Sequence, residues 1–549
     1  MVEKMIKKVQ SRQMKTAIIP EPAEVNYKNG VFNLSGRITV VTDNGEYSEL
    51  SDYLLSELDE LIPMAQDSLD NSSIKLLKAD DESLSEEGYR LSITSVGIVI
   101  AGKDNNAVFY GIMSLLQLVH QGLNEGKSAA CLACAEITDF PRFSWRGFML
   151  DESRHFQGKE TVKELLDFMA YLKLNKFHWH LTDDQGWRIE IKAFPELTSK
   201  GGFRPDTTIG GYLSSRTEGV PHQGFYTQDD IRDIISYAAG RGIEVIPEIE
   251  VPGHSLAALS VFPELSCRGR AIEITTKAGG IFRDIYCAGK EETFVFLQTV
   301  LDEICSLFPS SYIHIGGDEA PVSRMKKCPD CRRRMEREAL KTELELQHYM
   351  SGRIAAYLIS KGKTVIGWNE ILSEQLEPTI IAQFWQGNRK ELEHHMSRGR
   401  KIIRSDYWHL YLDLPYRIIP LWKTYSFEPG AGAGSENILG LEAPMWTEWV
   451  PDKERLYWQI FPRLCAAAET AWTPAPKKDW NSFSSRLEYF LRFLEFHGAY
   501  AAGKRYHSPG PLGLIFKYFF FLWDSGKKLH KKDLKRRLQE SAYADSASR

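Results

Sequence analysis

Three things are scarce in this chain of 549 residues, and each scarcity excludes something. Long apolar runs are missing: no stretch approaches the roughly 18 uncharged apolar residues a membrane helix needs. The densest run, Leu514 to Trp523, is short and broken by Lys517. The basic N-terminus, MVEKMIKKVQSRQMK, has no apolar centre, so it does not read as a secretory signal, and a cytoplasmic location is expected. Charge of one sign is scarce as well. The net charge of −5 gives no reason to expect nucleic acid or an acidic membrane as the main partner. Cysteine is thin. The eight residues Cys131, Cys134, Cys267, Cys287, Cys305, Cys328, Cys331 and Cys465 follow no disulfide framework, which fits a reducing compartment. Cys328-Pro-Asp-Cys331 is a CxxC, but no second CxxC or paired histidine follows at zinc-site spacing. Structural or incidental roles are therefore expected and no metal site is assigned, with metal or redox work as the alternative.

What is present is a globular composition, 43% apolar and 26% charged, long enough for two folded units plus tails. A basic tail, residues 1–16, precedes a small α+β domain at 17–140. Strands there are predicted at Arg37–Thr42, Tyr89–Thr94 and Ile98–Ala101, and helices around Leu50–Leu61 and Val108–Val119. From 141 to 500 strands alternate with helices. Eight strands are predicted: 146–151, 176–181, 244–249, 312–316, 364–368, 380–385, 401–405 and 439–446. Helices are predicted from Val162 to Leu172 and at 227–241, 291–308, 336–361 and 453–471. Repeated βα units imply parallel strands, and eight imply closure into a (β/α)8 TIM barrel. The fold class expected is thus α/β, a barrel preceded by a small α+β domain. Residues 501–549 form a second basic tail, with eleven Lys and Arg against four Asp and Glu from residue 503 onward. A solvated helix or disordered segment is expected there.

The informative regularity is positional. Strand after strand ends in a polar or aromatic cluster: Asp151-Glu-Ser-Arg154, Asp183-Asp184, Glu248-Ile-Glu250, Asp318-Glu319, Trp368-Asn-Glu370, Trp385-Gln386, Trp446-Thr-Glu448. In such a barrel the C-terminal strand ends converge on one pocket. In Ile313-His-Ile-Gly-Gly-Asp-Glu319, two carboxyls follow a buried strand and a Gly-Gly bend that lets the backbone turn tightly. Breaking a glycosidic bond needs a proton for the leaving oxygen and a group to meet positive charge at the anomeric carbon. Adjacent residues point in different directions, so Asp318 and Glu319 suit separate tasks. An ionised Asp318 is expected to raise the proton affinity of Glu319 and keep it a general acid. A surface carboxyl pair or a metal ligand set is the alternative.

The motifs Arg146-Gly-Phe-Met-Leu-Asp-Glu-Ser-Arg-His155, His178-Trp-His-Leu-Thr-Asp-Asp184, Pro247-Glu-Ile-Glu-Val-Pro-Gly-His254 and His314-Ile-Gly-Gly-Asp-Glu319 resemble those of family 20 glycoside hydrolases, the β-N-acetylhexosaminidases. Gly367-Trp-Asn-Glu370, Trp385-Gln386, Tyr411-Leu-Asp413 and Trp446-Thr-Glu448 continue the pattern in the family's order, over about residues 17 to 495. The resemblance implies exo-action on terminal β-linked GlcNAc or GalNAc of an oligosaccharide or glycoconjugate, without a cofactor or metal. It carries nothing about oligomeric state. It further implies a substrate-assisted retaining mechanism in which the 2-acetamido oxygen is the nucleophile. Glu319 would then be the acid and base, Asp318 would hold the acetamido N–H, and Tyr411 would donate to the acetamido oxygen. Asp183 and His254 would sit behind the acid. Arg154, Asp413 and Glu448 would bind ring hydroxyls, while Trp368, Trp385 and Trp446 would wall the pocket. Gln185-Gly-Trp187 and the glycine-rich stretch 201–224 suggest a long loop over it.

Three rival readings remain. A glycosidase with two protein carboxylates would pair Glu319 with Glu250 or Glu370. A glycan-binding barrel would have lost turnover, which Asp318, Glu319, Tyr411 and His254 argue against. A metal-dependent hydrolase would use His178, His180 and His254, although no carboxylate or third histidine sits at recognised metal spacing.

Overall fold

The computed structural model describes residues 17–508 except 44, 63–70, 124–128, 212–213, 374–375 and 431–433. The 1–16 tail, the Leu514–Trp523 run and the basic tail beyond residue 508 lie outside the described residues. Among those described, no helix is long and apolar enough to cross a membrane.

The first unit is a six-stranded sheet in the order β1-β6-β4-β5-β3-β2. Its strands are β1 (Glu24–Ser35), β2 (Arg37–Thr42), β3 (Asn71–Lys78), β4 (Tyr89–Thr94), β5 (Gly97–Gly102) and β6 (Ala129–Asp139). β4 and β5 alternate buried and open positions, the period-two pattern of a sheet with one covered face. Helix α1 (Ser48–Leu61) and helix α2 (Asn105–Gly122) supply the cover. The Asp104 side chain starts α2 by accepting from the Ala107 N–H at 2.8 Å. α2 is buried on nearly all sides because it also packs against the first helix of the barrel.

The second unit is the closed parallel barrel that the βα alternation predicts. Its strands are β7 (Trp145–Asp151), β8 (Lys176–His180), β9 (Glu244–Glu248), β10 (Tyr312–His314), β11 (Thr364–Trp368), β12 (Ile381–Phe384), β13 (Ile402–Arg404) and β14 (Ile438–Met445), with β14 pairing back to β7. The outer helices include α3 (Lys159–Tyr171), α4 (Gln228–Ala239), α5 (Glu291–Leu307), α6 (Pro329–Arg337), α7 (Glu343–Ser360), α8 (Arg389–Ser397), α9 (Lys453–Ile460), α10 (Arg463–Trp472) and α11 (Trp480–Phe496).

Two expected helices are divided. The span 336–361 breaks between α6 and α7, where Ala339 takes φ +55° and the Thr342 hydroxyl caps the new helix through the Glu345 N–H at 3.2 Å. The span 453–471 breaks at Pro462, which has no N–H to continue the ladder.

Buried ion pairs join the two units. Lys173 Nζ lies 2.7 Å from Asp139 Oδ2, and neither side chain is exposed. The other oxygen of Asp139 accepts from Trp472 Nε1 at 2.9 Å and from the Ala23 N–H at 3.0 Å. Arg146, at the start of β7, grips both oxygens of Glu87 at 2.8 and 2.9 Å, the bidentate geometry of the stronger ion pairs.

Candidate active site

The site is built where β7, β8, β9, β10, β11 and β14, with the segments that follow β12 and β13, reach the C-terminal rim of the barrel. After β10 the chain turns through Gly316 and Gly317, at φ +62° and +101°. A Cβ on Gly316 would stand 1.8 Å from Glu250 Oε2, and one on Gly317 would stand 2.0 Å from Ile371 Cγ2, so only glycine fits either position. Glu319 itself is held at φ +45°, a strained conformation for a residue with a side chain. The bend separates the two carboxyls. Asp318 is buried, while the Glu319 side chain keeps 35% of its surface open.

His254, also left-handed at φ +47°, stands between two acidic groups. Its Nδ1 lies 3.1 Å from Asp183 Oδ1 and 3.3 Å from Asp184 Oδ2. Its Nε2 faces Asp318 Oδ2 at 3.7 Å and Glu319 Oε2 at 3.8 Å. Burial disfavours charge on His254, but Asp183 above all, with Asp184 and Asp318, outweighs it and raises the pKa well above the usual range. Asp318 is pushed up to about 7, chiefly by burial, with Glu370, Glu248 and Glu319 adding and His254 opposing.

Arg154 is fixed by three partners: Gln185 Oε1 at 2.9 Å, Asp151 Oδ2 at 3.2 Å and Asp183 Oδ2 at 2.8 Å. Its guanidinium lies 4.9 Å from the Trp446 ring centroid. A guanidinium has five N–H groups, so those three contacts leave donors over. The ring-hydroxyl role expected of Arg154 and the ion pairs observed here are therefore compatible with one geometry. Glu448 is pushed up to about 7, first by burial and then by Asp151 and Asp183, against Arg154. Burial, then the Glu448 charge, holds the Asp413 carboxyl well above its usual range, and Asp413 Oδ1 has no protein hydrogen-bond partner among the described residues.

The three tryptophans form two layers. Trp368, 1% exposed, lies 5.9 Å from Trp446. Trp385 stacks on Tyr411 at 5.7 Å and 26°. Trp446 and Trp385 pack on the same small cluster around Tyr411, Leu414 and Ile419. The Asp318 charge acts on the Tyr411 hydroxyl, whose pKa burial already raises well above 10.

Beneath the rim lies a charge layer that sequence reasoning missed. Glu248 meets His180 Nδ1 at 2.5 Å, His314 Nδ1 at 2.7 Å, His178 Nε2 at 3.1 Å and Trp368 Nε1 at 2.9 Å. Glu442 meets His178 Nδ1 at 2.7 Å and accepts from Gln383 Nε2 at 2.7 Å. Alternation on β8 hints at two inward histidines, but the carboxylates Glu248 and Glu442 that meet them come from two other strands, β9 and β14. This arrangement corrects the metal reading of His178, His180 and His254. The first two serve Glu248, whereas His254 is turned to Asp183 and Asp184, and the described residues bring no ligand group together that contains all three.

The rival second carboxylates are buried or hydrogen-bonded. Glu250 is sealed behind Gly316, its oxygens without hydrogen-bond partners and its pKa well above normal through burial and the Asp318 charge. Glu370 accepts from Trp385 Nε1 at 3.0 Å and Gln386 Nε2 at 2.9 Å. An open groove runs from Glu319 past Gln347, His348, Asn369, Glu370 and Gln386. In the glycine-rich stretch, Phe203-Arg204 pairs antiparallel with His222-Gln223, and Arg204 donates to the Arg154 carbonyl at 2.6 Å. That bond ties the stretch to the backbone of Arg154.

Comparison with known proteins agrees with this geometry. The model of the glycosyl hydrolase family 20 catalytic domain matches residues 143–475, and that of the family's domain 2 matches 15–140. The β-hexosaminidase of Porphyromonas gingivalis is 37% identical over 519 residues, covering 90% of this chain and 64% of the relative. The β-hexosaminidase of Akkermansia muciniphila is 34% identical over 438 residues, covering 76% of this chain and 86% of the relative. Among solved structures, the family 20 exo-β-N-acetylglucosaminidase of Vibrio harveyi in complex with N-acetylglucosamine superposes with a TM-score of 0.78 at 30% identity, over 89% of this chain and 78% of that one. A mutant Streptomyces plicatus β-hexosaminidase in complex with its product GlcNAc gives 0.77 at 30% identity, over 90% and 97%.

Proposed function

Because the chain belongs to glycosyl hydrolase family 20, we propose that it removes terminal β-linked N-acetylhexosamine from the non-reducing ends of oligosaccharides or glycoconjugates, by a substrate-assisted retaining mechanism. In the first step the 2-acetamido oxygen attacks the anomeric carbon as the bond to the leaving oxygen breaks. Glu319 passes its proton to that oxygen. The resulting oxazolinium ion carries its charge partly at N–H, where Asp318 meets it, and Tyr411 donates to the acetamido oxygen to keep it aimed. In the second step water attacks the anomeric carbon, the Glu319 carboxylate takes the water's proton, and the acetamide is restored with retained configuration. Binding the acetamide in attacking position gives the rate advantage of an intramolecular reaction.

The observation that carries the reading is the His254 bridge. One imidazole, anchored on Asp183 and Asp184, stands within 4 Å of both Asp318 and Glu319, while Glu250 and Glu370 are sealed off or hydrogen-bonded. A retaining enzyme with its own nucleophile needs a free carboxylate about 5 Å from the acid. Exo-action is supported by the asymmetry of the site. Arg154, Asp413 and Glu448, the candidates for ring hydroxyls, are largely covered, whereas Glu319 opens on the groove that would receive the leaving sugar. The test is a panel of aryl β-N-acetylglucosaminide, β-N-acetylgalactosaminide and β-glucoside. The acetamido sugars are expected to turn over and the plain glucoside not. Comparable cleavage of all three would overturn substrate assistance.

A further inference from the structure

Four of the eight cysteines, from three separate stretches of the chain, converge at one place. Cys267 Sγ lies 3.7 Å from Cys331 Sγ, Cys287 Sγ lies 3.7 Å from Cys328 Sγ and 3.6 Å from Cys331 Sγ, and all four sulfurs lie within 4.8 Å of one another. A disulfide would bring two of them to about 2.05 Å. A tetrahedral zinc with bonds of about 2.3 Å sets its four sulfurs about 3.8 Å apart, close to the 3.6–3.7 Å of the three shortest pairs here. We propose that Cys267, Cys287, Cys328 and Cys331 bind one zinc ion as a tetrathiolate, clamping the loop that carries His254 to the loop that carries Asp318 and Glu319.

The backbone is shaped for such a site. Ser266 and Tyr286 form an antiparallel bridge, and the Cys287 N–H donates to the Leu265 carbonyl at 2.9 Å, so Cys267 and Cys287 project diagonally to one face. Lys290 Nζ braces the turn through the Glu264 and Ser266 carbonyls, at 2.6 and 2.9 Å. Cys328 is the N-cap of α6, and Cys331 stands in its first turn, three residues on and on the same side. The helix N-terminus favours thiolate over thiol. A Cβ on Gly289 would stand 2.3 Å from the Cys331 nitrogen, so glycine is what lets the two loops touch here. A zinc tetrathiolate carries a charge of about −2, since four thiolates surround a dication. Lys326, Lys327, Arg332 and Arg333 flank the CxxC in the sequence and offset it. An all-sulfur, tetrahedral set selects zinc or iron over harder ions.

The clamp lies between segments 249–290 and 315–331, the two that follow β9 and β10. Those segments deliver the opposing partners of the 3.8 Å approach of His254 to Glu319. Zinc would act by positioning them, outside the chemistry, and its detection does not depend on the proposed activity. The test uses untagged wild-type protein purified under reductant and away from chelating resin. Elemental analysis is expected to give one zinc per chain. Titration with a mercurial should release that zinc as four thiols react. Cys287→Ser and Cys331→Ser should each lose the metal and melt at lower temperature, whereas Cys305→Ser should retain both. Wild-type protein that is folded yet holds neither zinc at stoichiometry nor four mutually protected thiols would overturn the proposal. So would bound iron in zinc's place, or a non-reduced mass showing two disulfides.

Discussion

The barrel has charged groups buried at both ends, and the two sets are arranged on opposite principles. Where the barrel meets the first domain, buried charges stand in pairs: Lys173 with Asp139, Arg146 with Glu87, Arg486 with Glu469 and Glu21. At the C-terminal rim acids outnumber bases, and oxygens of Glu250, Asp318 and Asp413 are buried without a protein hydrogen-bond donor. Buried polar groups are paired in ordinary structure, so a cluster of unpaired ones marks a place completed by something else. Pairing gives the domain interface its rigidity. Incompleteness gives the rim its affinity for a ligand that brings N–H and O–H groups and, in the transition state, positive charge.

If that contrast is right, mutations at the two ends must fail in different currencies of measurement. Glu319→Gln should lower kcat on a natural glycan by roughly 10²–10⁴-fold, the usual worth of a general acid. A nitrophenyl substrate should conceal much of that loss, because its leaving group needs little protonation, and the melting temperature should stay level. Lys173→Met should do the reverse. It leaves Asp139 buried beside Tyr89 and Trp472 without its cation, at a cost of about 3–5 kcal/mol in stability. Turnover per folded molecule, measured well below the melting point, should be unchanged. Equal loss of kcat in both variants would erase the distinction.

The two ends were not equally legible in the sequence. All eight barrel strands could be read because each is an apolar run stopped by polar residues, and the site candidates occupy those stops. β1, β3 and β6 could not. β1 is largely open and interrupted at Tyr27/Val31, and β6 is built on alanine and cysteine with little β-branching. The charge layer under the pocket also went unread, since Glu248 and Glu442 acquire meaning only when three strands bring His178, His180, His314 and Trp368 to them. The same holds for the cysteines. Spacing in the chain could flag Cys328 and Cys331, but only the fold supplies Cys267 and Cys287.

Ionisation sharpens the comparison further. Burial pushes the Asp318 carboxyl up to about 7, and in the proposed mechanism it must be ionised to meet the charge on the acetamido nitrogen. As pH falls through 7 it takes up a proton, so kcat/KM should decline about tenfold per unit below that point. Asp318→Asn should be slow at every pH and should lose this limb. An unchanged acidic limb in that variant would assign the titration to another group.

The smallest effect expected is at Glu448, where ligand affinity and stability oppose each other. Its folded-state pKa of about 7 exceeds the ordinary value near 4.3, so the folded protein holds the proton more tightly than the unfolded chain. Such an acid is neutral in both states below about pH 4 and has no effect on stability there. As pH rises from about 4 to 7, the unfolded chain ionises it freely while the fold resists, and stability is lost across that window. Glu448→Gln removes the resisted charge. The variant should therefore melt with wild type at pH 4 but a few degrees higher at pH 8, a shift kept modest because a chain this size changes little per unit of free energy. KM for the acetamido sugar should rise in the same variant, because an amide is a poorer acceptor for a ring hydroxyl than a carboxylate. A gain in stability without a loss of affinity would mean that Glu448 braces the pocket without touching the sugar.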